Sequence, residues 1–149
     1  MNNDDSLPRI LLEGSGALLA YAGVGLVLFV LGFYLMDLVT PGRLITMIRK
    51  HRNPNATLLS CASLVGVGLI VAVSIFASGG DLVEGLLRTL VFGAVGIVAQ
   101  ITATMVFDRL VGISIRELVD DERDPLNPAA VLLAVANLMI GFVTAVAVY

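Results

Sequence analysis

The chain has 149 residues, of which 58% are apolar and 14% charged, and another 15 are glycine. Soluble domains carry about 45–50% apolar residues, glycine included, and about 25% charged ones, so a chain of mean hydropathy +0.96 has too few polar side chains to cover a water-facing surface. One cysteine excludes a disulfide scaffold, the apolar content excludes a disordered chain, and 9 Lys and Arg against 12 Asp and Glu exclude a basic nucleic-acid binder.

Asp, Glu, Lys and Arg are missing from four stretches, 14–36, 53–80, 89–107 and 125–149, each of at least 19 residues. A hydrocarbon layer about 30 Å thick takes roughly 20 helical residues to cross. With no water to satisfy free peptide groups, a lone apolar stretch of that length crosses as a helix. The expected fold is all-α: a polytopic membrane protein, one transmembrane domain over 1–149, built as a bundle of four helices at about 14–38, 56–78, 86–107 and 129–149. Four helices of a soluble bundle would each need a charged stripe, and none has one.

In chain order, the first apolar stretch follows an acidic opening with Asp4 and Asp5, where a secretory signal would be basic, so it is expected to be retained. Asp37 ends the first helix. Thr40-Pro41-Gly42 stops it and offers a cap and a first-turn proline to a short helix on the membrane surface, with Leu44, Ile45, Met47 and Ile48 as its apolar residues. Pro54 leads into the second membrane helix, for which Asn55 stands at the N-cap position. The third helix runs to Asp108 and carries a stripe of Gly93, Gly96, Gln100, Ala103 and Thr104. In the loop after it, Ser114 and Glu117 have capping-box spacing for a second surface helix. Asp120-Asp121-Glu122-Arg123-Asp124 lacks the alternating ligands of a calcium loop and reads as a solvated acidic turn. Asn127 is expected to cap the last helix, whose stripe is Ala130, Ala134, Asn137, Gly141 and Ala145.

Asp37 and Asp108 sit at helix C-termini, where the helix dipole disfavours a carboxylate. Compensation is expected from Arg43, from Arg109, or from the N-termini of the second and fourth membrane helices. The structural role, an acid closing one helix onto its partner, is preferred to proton or cation handling. Gln100 and Asn137 are the two amides deep in the bilayer; both lie at nearly one depth and are expected to face each other as polar glue between helices, with a transport path as the alternative. His51 and Cys61 have no partners in metal or nucleophile spacing, and no phosphate loop or catalytic triad pattern is present. No catalytic, cofactor-binding or metal site is expected, and the chain is not expected to be an enzyme.

The chain also repeats. A shift of 71 residues aligns Tyr21 with Phe92, Gly25 with Gly96, Leu26 with Ile97, Val27 with Val98 and Asp37 with Asp108, and one inserted residue then aligns Asn55 with Asn127. Repeat one is 21–78 and repeat two 92–149. Each copy is helix, loop, helix and enters from the same side, which is a parallel repeat with its axis along the membrane normal.

Asp37-Leu38-Val39-Thr40-Pro41-Gly42 with Asn55-Ala56, and Asp108 with Asn127-Pro128-Ala129-Ala130, resemble the YjfL-type bacterial inner-membrane proteins called domain of unknown function 350. The resemblance implies a small four-helix protein of the bacterial inner membrane with a twofold repeat. In each repeat an aspartate ends the first helix and an asparagine starts the second, here Asp37, Asn55, Asp108 and Asn127. Repeat two departs from the pattern, with Val111-Gly112 in place of the Thr-Pro-Gly turn and Pro128 directly after the asparagine. The family has no established activity. The chain is therefore expected to be a non-enzymatic membrane component, a homo-oligomer or a subunit among other membrane proteins, with the lipid bilayer as its surroundings and neither cofactor nor nucleic acid bound. A small transporter or channel for ions or small solutes is the alternative.

Basic residues in short loops stay in the cytoplasm. Arg43, Arg49, Lys50, Arg52, Arg109, Arg116 and Arg123 fall on one side of the four-helix arrangement, and Arg9 and Arg88 on the other. A reporter fused after Tyr149 should accordingly read extracytoplasmic and one inserted near Lys50 cytoplasmic, and the opposite pattern would reverse the assigned orientation.

Overall fold

The computed structural model describes residues 6–40, 44–79, 81–113 and 126–149. Among them it contains five helices: α1 (Ser6–Val39), α2 (Leu44–His51), α3 (Pro54–Ala77), α4 (Leu82–Val111) and α5 (Pro128–Val148). All but α2 are long and apolar enough to cross a bilayer. The pair Ser114 and Glu117 and the acidic segment 120–124 lie outside the described residues.

The two helices that start well before their uncharged stretches do so through local ion pairs. Arg9 reaches Glu13 at 2.9 Å and Arg88 reaches Glu84 at 2.5 Å, both one turn apart, a spacing that supports a helix rather than ending it. An uncharged run thus marks what lipid tolerates, and the helix itself continues past it. At its other end α4 runs beyond Asp108 to Gly112, whose φ of 66° is the left-handed cap conformation, with its N–H donated to the Asp108 carbonyl at 3.1 Å.

α3 and α5 begin, and α1 and α4 finish, at one end of the bundle, here called the asparagine end. The Asn127 N–H donates to Asn55 Oδ1 at 2.9 Å there. At the opposite, tyrosine end, the Tyr21 hydroxyl donates to the Ser78 carbonyl at the close of α3, at 3.3 Å. α3 is central. It packs on every other helix, whereas α1 and α5 each pack on α3 and α4 with little contact between themselves. Leu44, Ala56, Leu59, Ala62, Leu133 and Ala134 fill the asparagine end; Leu28, Met36, Val67, Val71 and Ile97 fill the middle. Outside, Leu26, Val30, Val98, Val135, Phe142 and Val143 are exposed on α1, α4 and α5. Apolar surface of that extent needs lipid around it, and the chain is a multi-pass membrane protein.

Lipid tails are as apolar as leucine, so helices in a bilayer associate through close backbone approach and polar bonds. α3 and α5, which run parallel, make the most extensive interface and make it with small residues. A Cβ built on Gly141 would overlap the Gly66 backbone, and one on Gly66 would overlap the Gln100 amide. Gly141→Ala should therefore cost about 2 kcal/mol or more, because backbone has to move, and Gly66→Ala less, because a side chain can yield. Gly16→Ala, with nothing within 4 Å of its new methyl, should be neutral or slightly stabilising. Unfolding of the three variants in mixed detergent micelles checks that order.

Candidate functional site

The polar side chains concentrate at the asparagine end, and each has a definable task. Asn53, not Asn55, is the N-cap of α3: its side chain accepts from the Ala56 N–H at 3.0 Å, with Pro54 in the first turn. A proline at the first helical position marks the residue before it as the cap, which corrects the expectation for Asn55. Asn55 lies inside the first turn, 1% exposed, and its Oδ1 receives the Asn127 backbone N–H. Asn127 in turn caps α5, its Oδ1 accepting from the Ala129 N–H at 2.9 Å. One amide therefore satisfies a helix end within its own half while the other joins the two halves.

Asp37 also differs from expectation. Its Oδ1 accepts from the Ile45 N–H at 3.0 Å, so the carboxylate neutralises the positive N-terminus of α2, not that of α3 beside Asn55. α2 begins within two turns of Asp37 in sequence, and its first N–H groups are the nearest free donors. Arg43 lies outside the described residues.

Asp108 has no hydrogen-bond or ion-pair partner for its side chain among the described residues, Arg109 included. It borders two spaces. One is a crevice of about 190 Å³ open between α1 and α4, with Met36, Val39, Thr40, Ile101, Thr104 and Arg109 around it. The other is an inner chamber of about 20 Å³ reaching Ser63 and Asn137.

The deep amides do not pair with each other. Asn137 Nδ2 donates to Ser63 Oγ at 2.7 Å, and Thr104 Oγ1 donates to Asn137 Oδ1 at 3.0 Å, which ties α5 to α3 and α4. Gln100 lies one turn along α4 toward the tyrosine end, against Gly66 and Gly141, fully enclosed and with neither amide atom bonded to a described residue. Sequence reasoning overlooked Ser63, although Ser60, Ser63 and Ser74 recur on α3 where a polar partner for α5 was needed. It also overlooked Tyr21 as the closing bond of the far end. No three of the described His, Cys, Asp and Glu side chains cluster to hold a metal.

Two amides of similar depth should thus respond in opposite ways. Asn137→Leu loses two interhelical bonds and should cost about 1–3 kcal/mol. Gln100→Leu or Gln100→Met removes an unbonded buried amide and should be neutral or stabilising. In double-mutant cycles Asn137 should couple to Ser63 more strongly than to Gln100.

Sequence relatives align with nearly the whole length of the chain. The chain is 31% identical to a UPF0719 transmembrane protein of Mycolicibacterium paratuberculosis, over 92% of this chain and 89% of that one. It is 33% identical, with the same coverage, to UPF0719 transmembrane proteins of Mycobacterium bovis and of Mycobacterium tuberculosis. No solved structure matches it. The model of the family described as Domain of Unknown Function (DUF350) matches residues 10–148, and the chain belongs to that family.

Proposed function

We propose that the protein is a non-enzymatic component of a membrane assembly that pairs with copies of itself through α1. The observation that carries this is the length of α1. Its 34 residues span about 51 Å, against about 31 Å for the 21 residues of α5. Tyr21 meets Ser78 and Gly85 at the tyrosine end, and the exposed Glu84–Arg88 pair lies at the same level, where the hydrocarbon layer gives way to water. Residues 6–20 extend roughly 22 Å beyond that level.

This overhang is two-faced. At about 100° per residue, Leu11, Leu12, Ser15, Leu18, Leu19 and Ala22 share one face, and the Arg9–Glu13 pair lies opposite. The four leucines are 64% to 77% exposed. A leucine face beyond the bilayer is paired in the functional state, and a parallel second copy brings identical residues level with one another along a contact that continues as Leu26 and Val30. The charge distribution of the loops supports an extracytoplasmic position for the overhang, on the outer side of a bacterial inner membrane. The two halves are read as copies of one helix-loop-helix unit, a parallel repeat, a reading supported by the bond between the equivalent residues Asn55 and Asn127.

The second reading, a small transporter or channel, is favoured by the crevice that leads from the α1–α4 face past Asp108. Flux into proteoliposomes tests it directly.

For self-association, Cys61→Ser supplies a background without cysteine. Single cysteines at Leu12 and Leu19 should then form disulfide dimers in native membranes far more readily than one at Glu13. Equal crosslinking on both faces, or none on either, would overturn the pairing.

A further inference from the structure

We infer that the inner chamber at the asparagine end binds one small monovalent cation, with Asp108 as its charged ligand. The inference is independent of self-association and requires no transport. It begins from size: about 20 Å³ for the chamber is the space of a single water molecule or of one dehydrated alkali ion.

The polarity of the lining then selects a cation. Thr40 gives its hydroxyl hydrogen to the Met36 carbonyl at 2.8 Å, Ser63 to the Leu59 carbonyl at 3.0 Å, and Thr104 to Asn137 Oδ1 at 3.0 Å. Asn137 Nδ2 is turned to Ser63. The hydroxyl hydrogens are committed, so the threonine oxygens present lone pairs to the chamber beside the Asp108 carboxylate. Leu44, Leu59 and Leu133 complete the lining, so its polar part is a set of acceptors beside an unpartnered carboxylate, which is complementary to a cation, and the C-terminal end of α4 adds negative potential at the same place. Arg109 lines the outer crevice and not the inner chamber. A single carboxylate balances a single positive charge, whereas divalent ions are held by several carboxylates or by retained water. The crevice and the chamber share Thr40, Thr104 and Asp108, which gives an ion a way in from the α1–α4 face.

Sodium is the probe. Full-length protein in detergent, at fixed pH and ionic strength, should melt at least about 3 °C higher in sodium chloride than in N-methylglucamine chloride. Radioactive sodium should be retained at one ion per chain. Asp108→Asn should abolish both effects, while Asp37→Asn, which weakens only the α2 cap, should keep the sodium-dependent shift from a lower starting temperature. Should Asp108→Asn fail to fold, Thr104→Val is to lower sodium retention and Thr104→Ser to preserve it. Identical melting in the two salts with no sodium retained would overturn the inference and leave Asp108 neutralised by a proton. Retention unchanged in Asp108→Asn or in Thr104→Val would overturn it as well.

Discussion

The closest approach of α3 and α5, where Gly66 meets Gly141, is the contact on which the other interfaces depend. No solvent-driven force sorts helices inside a bilayer, so which pair comes together is decided by how near their backbones can pass and by which polar atoms then meet. With two glycines opposed, Asn137 comes within 2.7 Å of Ser63 and Asn55 within 2.9 Å of the Asn127 N–H. Side chains at that crossing would spread the helices and break both bonds. α4 then settles on the pair through Gly96, against Ile70 and Val148, and the enclosed Gln100, while α1 packs through Gly25 and Gly32 against branched side chains of α3 and α4 and sets its Leu28 against Gly93.

The four spans were legible in the sequence because one property, the length of an uncharged run, decides whether a segment can cross. Their ends were not legible by that rule, since Arg9 with Glu13 and Glu84 with Arg88 are charges that extend a helix. The α3 cap was legible in principle: Asn53 and Asn55 flank Pro54, and proline at the first helical position indicates the former. Asn55 instead meets Asn127, a contact that joins α3 to the start of α5. Depth along the membrane followed from counting residues, but rotation and one-turn shifts did not. Gln100 and Thr104 occupy the same face of α4, and which of them meets Asn137 depends on an axial offset of about 6 Å that composition does not specify.

The asparagine end gathers three helix C-termini and three N-termini, and its two aspartates meet them unequally. Asp37 finds the free N–H of Ile45. Asp108 finds no such donor among the described residues and borders a chamber instead. The sequences after the two acids also differ, Thr40-Pro41-Gly42 following Asp37 and Val111-Gly112 following Asp108. The two aspartates thus differ in their surroundings, one capping a short helix and the other bordering a chamber.

α1 links both functional readings. Its first third carries the leucine face, and its last turn contributes Met36, Val39 and Thr40 to the crevice at Asp108. It is also the least buried of the four spans, held by the Tyr21 bond at one end, by close packing at Gly25 and Gly32, and by Asp37 at the other end. A helix with few enclosed residues opens or shifts at lower free energy than one buried on all sides. The exposed leucine face and the mouth of the crevice therefore belong to the element that the bundle constrains least, whereas α3 and α5, locked at their glycines, supply the fixed wall carrying Ser63 and Asn137.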